Sequence, residues 1–259
     1  MQSRTWLARW VSHHIAGSIL LFLLLASLCP LRLKAVSEKP APATVVDSGA
    51  FGVFVGGRRV ATETFSIHQD ATGSSVQSEF KSESGTDKAA QSSELQLTAT
   101  GELKSYQWKE STPGQSEATV APNGDFLTER FTKAPQDKPQ EQPFLLPAAT
   151  SILDDYFYVH REVLAWKYLA TSCKQENGQI ACPLKQPAQI GTLNAHARQS
   201  MPVSVQYFGR EKLVIHGAQR EFIRLDIKSE VGDWTLWLDD QLKLQRFLDP
   251  TTNTEVVRD

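Results

Sequence analysis

Catalytic and metal-binding motifs are missing from this chain of 259 residues, which has only three cysteines and six histidines. Four of the histidines follow the N-terminal segment, and they are scattered: His68, His160, His196 and His216. The sequence has no H-E-x-x-H, G-x-S-x-G, P-loop or G-x-G-x-x-G pattern. It therefore predicts no catalytic residue, no metal site and no cofactor.

The chain also lacks a cluster of basic residues that could follow a phosphate backbone. It has 27 basic and 29 acidic side chains, and four of the basic ones and none of the acidic ones lie in residues 1–35. Residues 36–259 thus have a formal charge of −6. A nucleic-acid partner is disfavoured.

The one long apolar run is "IAGSILLFLLLASLC", residues 15–29. It is shorter than the roughly 20 apolar residues that span a bilayer. Arginines precede it, and Ala35 is a small residue suited to cleavage, so residues 1–35 resemble an export signal. We expect an exported protein of the periplasm or cell envelope.

Two alternatives to a cleaved signal stay open. Arg32 and Lys34 follow the apolar run, which disfavours translocation of that flank and allows a retained inner-membrane anchor through residues 15–31. In that case membrane contact occurs only through the N-terminal segment. Lipid modification of Cys29 is disfavoured, because Leu28 directly before it is bulky.

The remainder of the chain is predicted to be a linker, residues 36–47, and a single β-rich domain, residues 48–259. The linker is rich in proline and alanine, and the domain shows short alternating strands such as residues 222–227, "FIRLDI". Strands at short, regular spacing with little helix indicate a mainly β (α+β) fold. We expect a curved antiparallel sheet or a partly open barrel with one principal helix packed against it.

That helix is predicted in residues 150–171, "TSILDDYFYVHREVLAWKYLAT". Thr150 or Ser151 would be the N-cap, and the pair Asp154-Asp155 would lie in the first turn. Apolar residues recur at spacings of three and four along the segment. The pattern indicates a helix that packs against a sheet.

Two hairpins are predicted from the positions of glycine residues. A loop at Gly101-Glu102 would place Leu97 opposite Tyr106 and Leu95 opposite Trp108. Asn123-Gly124 is the favoured pair for a type I′ turn.

The segment "CKQENGQIAC" is predicted to be a hairpin closed by a disulfide between Cys173 and Cys182. A turn at Asn177-Gly178 places the cysteines opposite each other at a non-hydrogen-bonded pair. There the Cα atoms approach to about 4.5 Å, within the range that a disulfide allows. A redox pair and a metal site are weaker alternatives, since neither Cys-x-x-Cys spacing nor a nearby histidine pair is present.

Aromatic residues on the predicted strands and helix could line an apolar cavity if the sheet curls around the helix. Ordinary core packing is the competing interpretation. These residues are Tyr106, Trp108, Trp166, Tyr207, Trp234 and Trp237. The pair Asp239-Asp240 is interpreted as turn chemistry, and Asp154-Asp155 as a helix terminus, in preference to acid–base groups.

Two segments, "FGVFVGGRRVATETFSI" and "WTLWLDDQLKLQRFLDPTTNTEVVRD", resemble the first and last strands of uncharacterised bacterial secreted domains of the DUF3108/DUF6134-like group. That group resembles the LolA/LolB-type periplasmic lipoprotein carriers at the level of fold. The resemblance implies a curved sheet that covers a helix and an apolar cavity. It assigns no functional residue.

The function expected from these features is a non-catalytic binding domain of the cell envelope for an apolar ligand, lipid or protein partner. A contiguous apolar concavity would support this interpretation, and a filled interior would argue against it. The alternative is an envelope-associated hydrolase, for which His160, His196, Asp226 and Asp239 are the polar candidates.

Overall fold

The computed structural model describes residues 43–83, 88–176 and 179–259. These residues form seventeen strands and one α-helix. The strands are β1 Thr44–Val55, β2 Arg58–Asp70, β3 Gly73–Ser82, β4 Ala90–Thr98, β5 Leu103–Thr112, β6 Glu117–Asn123, β7 Phe126–Thr132, β8 Gln140–Phe144, β9 Ser151–Ile152, β10 Lys174–Glu176, β11 Gln179–Ala181, β12 Ala188–Asn194, β13 Gln199–Ile215, β14 Ala218–Ser229, β15 Gly232–Leu238, β16 Leu244–Asp249 and β17 Thr254–Arg258. The helix, α1, comprises Val159–Ser172.

Fifteen strands form one curved, unclosed sheet in the order β8-β7-β6-β5-β4-β3-β2-β1-β17-β16-β15-β14-β13-β12-β9. Its neighbours are antiparallel apart from β9, which runs parallel to β12. The predicted fold class, a mainly β domain with one principal helix against a curved sheet, is confirmed.

The sheet brings its two ends close together. The segment before β9 hydrogen-bonds to β5, where the Leu103 N–H donates to the carbonyl of Ala148. The turn between β12 and β13 also reaches β5 and β7, because the His196 ring packs on Trp108 and Arg198 lies over the Phe131 ring. The curl therefore encloses α1 together with one hydrophobic core.

The helix is shorter than predicted. It begins at Val159, whereas Ser151–Ile152 form β9 and Tyr158 is the N-cap position, without a side-chain cap. The predicted cap at Thr150 or Ser151 is therefore wrong, and Asp154-Asp155 precede the helix. Ser151–Ile152 form a strand because β12 is available as a pairing partner. The spacing of apolar residues in the sequence does not reveal this partner.

The predicted register of the β4–β5 hairpin is also wrong. Leu97 pairs with Leu103, and Leu95 pairs with Tyr106. The loop is longer than two residues, because the Thr98 N–H donates to the Glu102 carbonyl and the Thr98 hydroxyl accepts the Glu102 N–H. Gly101 does have the positive φ that the pattern predicted, at 78°.

Two other boundaries differ by a few residues. β1 begins at Thr44, inside the segment predicted as a linker to residue 47. In the β6–β7 hairpin Asn123 pairs with Phe126, so that Gly124-Asp125 form the loop in place of Asn123-Gly124.

Candidate functional site

The first turn of α1 is held inside the curl by a carboxylate from a distant strand. Glu63 of β2 accepts the backbone N–H of Tyr158 at 2.6 Å and that of Val159 at 3.2 Å. The Ser78 hydroxyl donates to the same carboxylate at 2.7 Å. Glu63 is fully buried, and burial raises its pKa to about 7, against the lowering effect of these hydrogen bonds. The carboxylate satisfies helix N–H groups that would otherwise lack partners.

A second buried network joins α1 to the centre of the sheet. Arg258 of β17 donates to Asp47 of β1 at 2.6 Å and to Glu162 of α1 at 3.0 Å. Lys243 also lies 3.1 Å from Asp47. Burial acts to raise the pKa of Asp47, but the Arg258 hydrogen bond and its other neighbours lower it below its usual value. This network fixes the buried side of the helix.

A third group of buried polar residues lies where the two ends of the sheet meet. The Tyr106 hydroxyl donates to Asp154 at 3.0 Å. Glu129 of β7 is fully buried, its nearest cation is Arg198 at 3.7 Å, and among the described residues neither of its oxygens has a hydrogen-bond partner. Burial raises the pKa of Glu129 to about 7, and Asp154 acts in the same direction. Tyr106, Glu129 and Asp154 are all buried in the core.

The second half of α1 is more open, and Trp166 separates two grooves there. The smaller, which we call the apolar groove, has a volume of about 310 Å³ and lies between α1 and the β4–β5 hairpin. Its apolar lining consists of Leu95, Leu97, Ala99, Ile152, Val163, Trp166 and Ala170. Trp166 is fixed in place by donating its indole N–H to the Leu242 carbonyl at 2.6 Å.

The larger groove, which we call the hairpin groove, has a volume of about 930 Å³ and lies between α1, the disulfide hairpin and strands β13 and β14. It contains charged residues of both signs. Arg210 pairs with Asp240 at 2.7 Å and lies 3.6 Å from Glu221. Lys174 and Cys173 form part of its wall.

The predicted disulfide is confirmed. Cys173 and Cys182 are bridged, with their Cα atoms 4.3 Å apart. Lys174 pairs with Ala181 and Gln175 with Ile180, which is the register predicted from the turn. The turn residues Asn177-Gly178 themselves lie outside the described residues.

The six predicted cavity-lining aromatics are not gathered around one space. Trp166 borders both grooves. Tyr106, Trp108 and Trp234 are buried in the hydrophobic core, and Tyr207 packs partly buried against it. Trp237 lies on the other face of β15 and donates its indole N–H to Glu211 at 2.8 Å. A cavity-lining role stays a prediction, with Trp166 its best-placed member.

The polar candidates for a hydrolase lie in separate places. His160 is fully buried, and burial lowers its pKa to about 3, so its ring is neutral. His196 packs on Trp108 and Tyr156. Asp226 binds Arg224 at 2.9 Å. Asp239 accepts the N–H groups of Gln241 and Lys243, so its interpretation as a turn residue is confirmed.

Sequence reasoning missed the burial of several charged residues, most of which lie in a strand or helix whose pattern looks ordinary. They are Asp47, Glu63, Glu129, Asp154, Arg161 and Glu162. For Asp154, the interpretation as a first-turn helix residue is wrong, since it lies before α1 and accepts the Tyr106 hydroxyl. A carboxylate at an inward position of an alternating strand, as at Glu63 in "ATETFSI", was an available signal.

No protein-family model and no curated protein matches this chain. A solved structure is similar: a β-barrel-like protein of the domain of unknown function DUF1849 from Brucella abortus. The similarity covers 82% of this chain and 93% of that one, with a TM-score of 0.52 and 8% sequence identity. The protein thus shares the fold of an uncharacterised β-barrel-like domain.

No helix among the described residues is long and apolar enough to cross a membrane. No group of three or more histidine, cysteine or acidic side chains in the described ranges is arranged to hold a metal ion.

Proposed function

We propose that this protein is a non-catalytic binding domain of the cell envelope that takes an apolar or amphipathic ligand in the apolar groove. The observation that carries the proposal is the lining of this groove. Leu97, Val163 and Trp166 are only partly buried there, although they pack against the core. Partly exposed apolar side chains around a concave space are typical of ligand sites.

The proposed site is not the interior of the curved sheet. The first half of α1 fills that space, with Val159, Leu164 and Ala165 fully buried. The groove lies beside the second half of the helix. Its volume of about 310 Å³ is at the lower end of the roughly 300–1,000 Å³ found for ligand pockets.

An envelope location is part of the proposal. The Cys173–Cys182 bridge is consistent with an oxidising compartment, because disulfides form and persist there. A carrier role of the LolA/LolB type would combine a curved sheet, a helix and an apolar site. We offer it as the finer form of the proposal, with a lipid as the ligand.

A neutral fluorescent probe, N-phenyl-1-naphthylamine, tests the site. We expect saturable binding with an increase in probe emission. Leu97→Lys places a charge in the groove and should weaken binding about tenfold or more, because an unpaired charge is costly to desolvate. Val214→Lys is the matched control, since Val214 is 64% exposed on the β13–β14 hairpin and does not line the groove.

Two results would overturn the proposal. One is the absence of saturable binding to the wild-type protein. The other is equal binding by the wild type and Leu97→Lys, because the probe would then bind elsewhere. Circular dichroism of both variants shows whether the fold is retained.

A further inference from the structure

We infer that the apolar groove selects a single-chain amphiphile with an anionic head group, and that Lys167 recognises the charge. The inference rests on the proposed function and names the ligand class of the same site. A carboxylate or phosphate monoester on one alkyl chain fits the chemistry of the lining.

The described lining of the apolar groove carries a positive charge and no negative charge. Among the described residues that line it, Lys167 carries the only formal charge. Its other polar lining consists of amide and hydroxyl side chains: Gln69, Ser74, Thr98, Thr100, Thr150, Ser151 and Thr171. Hydroxyl groups and an ammonium are donors to an anionic oxygen. A cationic head group would find no carboxylate in this lining.

The Lys167 ammonium has N–H donors that the described residues do not use. Its ammonium donates to the carbonyl of Ala149, which leaves two of its three N–H groups for a ligand. No carboxylate of the described residues lies within salt-bridge distance of it. Burial lowers the pKa of Lys167, against a raising effect of Glu102. An anionic ligand would supply the missing counter-charge.

Thr150 supports a ligand in the groove independently of Lys167. Thr150 is one of the residues that line the groove, it is 3% exposed, and its hydroxyl has no hydrogen-bond partner among the described residues. A buried hydroxyl without a partner is costly, and a ligand oxygen in the groove would satisfy it. Thr150 follows Ala149, the residue whose carbonyl holds the Lys167 ammonium.

The apolar side of the groove sets the size of the tail. Leu95 and Leu97 come from β4, Ile152 from β9, and Val163 and Trp166 from α1. A volume of about 310 Å³ suits one alkyl chain better than the paired chains of a diacyl lipid. The ligand class is therefore a single-chain anionic amphiphile.

The hairpin groove differs from the apolar groove in the balance of its charges. Its carboxylates, Glu221 and Asp240, already lie near Arg210, so the charges of that groove largely compensate one another. Lys174 lines this second groove and supplies a matched control for Lys167, because each is a lysine in a groove that Trp166 also lines. Neutralising it should not change the ligand preference of the apolar groove.

The test is displacement of bound N-phenyl-1-naphthylamine at pH 7 by dodecanoate, dodecyl phosphate, dodecanol or acetate. We expect both anionic amphiphiles to bind about tenfold or more tightly than dodecanol, since hydrogen bonds to charged groups are the stronger ones. Acetate should not displace the probe, because the head group alone lacks the tail contacts. Lys167→Met should abolish the preference, and Lys174→Met should leave it unchanged.

Lys167→Arg and Thr150→Val separate charge recognition from a loss of structure. Lys167→Arg keeps the positive charge and should retain the preference. Thr150→Val is close to isosteric and should weaken dodecanoate binding several-fold without weakening probe binding.

The outcomes separate this inference from the proposed function. If dodecanoate and dodecanol bind equally well while Leu97→Lys abolishes probe binding, the inference fails and the proposed function stands. Persistence of the anion preference in Lys167→Met rules out the role of Lys167. If neither probe nor amphiphile binds, both proposals are wrong.

Discussion

Glu63 and Tyr158 are 95 positions apart, and the carboxylate of the first caps the helix that begins after the second, at an oxygen-to-nitrogen distance of 2.6 Å. A strand residue thus does the work usually done by a local serine, threonine, aspartate or asparagine. The start of α1 depends on tertiary structure.

Replacing Glu63 with alanine should destabilise the protein by about 2–3 kcal/mol. The change leaves the Tyr158 and Val159 N–H groups without their acceptor in the core, and it removes the shorter hydrogen bond of the Ser78 hydroxyl. Urea unfolding measures the loss. Glu79→Ala, at an exposed position of β3, is the control and should change stability by less than about 0.5 kcal/mol. Equal effects of the two substitutions would contradict the capping role.

Glu129→Gln should change the pH dependence of stability. The pKa of Glu129 is about 7 in the folded protein, against 4.5 as the ordinary value. The unfolded chain therefore binds fewer protons between these values, and the stability of the wild type falls as the pH rises from about 4.5 to 7. Glutamine does not titrate, so the variant lacks this contribution.

The measurement is urea unfolding of wild type and Glu129→Gln at pH 5 and pH 8. Relative to the wild type, the variant should gain about 2–3 kcal/mol between the two pH values, because about two pH units of this range lie between the unfolded and the folded pKa. Glu141→Gln, on exposed β8, should show no such gain. A constant difference at both pH values would mean that Glu129 has an ordinary pKa.

Arg258→Met should be among the most destabilising single substitutions, at about 3–5 kcal/mol, because it leaves Asp47 and Glu162 buried with only Lys243 nearby. Thermal and urea unfolding give the value. Arg59→Met is the control: Arg59 also pairs with two acidic residues, but at the surface, where such pairs contribute about 1 kcal/mol or less. Similar losses from both would refute a special role for burial.

Breaking the disulfide should cost about 2–3 kcal/mol, since a short loop restricts the unfolded chain only moderately. The double variant Cys173→Ser, Cys182→Ser is compared with the wild type with and without reductant. Reductant should bring the wild type to the stability of the variant and leave the variant unchanged. Intact mass should confirm that the untreated wild type lacks two hydrogens at this pair.

The sequence allowed the fold class and the disulfide hairpin to be predicted, because both follow from local patterns. The cysteine register was predicted from a turn expected at Asn177-Gly178 and from strand alternation, and the pairing of Lys174 with Ala181 agrees with it. The β4–β5 register failed for a physical reason: a hydrogen bond from the Glu102 N–H to the Thr98 hydroxyl stabilises a longer loop than the glycine position suggested.

The site was harder to predict, because its parts come from distant segments. Trp166 was singled out from composition, but the groove also needs Leu97 from β4 and Ile152 from β9. The β9 strand lay within the predicted helix, so its contribution to the groove could not be foreseen. Lys167 had no distinguishing pattern, since its proposed role comes from its being the one charged residue in the described lining of the groove.

The adjacency of β1 and β17 at the middle of the sheet has a consequence for how the chain folds. Phe51 pairs with Arg258, so the wing β2–β8 and the wing formed by β9 and β12–β16 are joined in the hydrogen-bond ladder of the sheet by strands about two hundred positions apart. During synthesis the edge of β1 that pairs with β17 stays unpaired until β17 has been synthesised. Because such distant pairing carries a large loop-closure cost, we expect slow folding, with hairpins formed early and the two wings joined last.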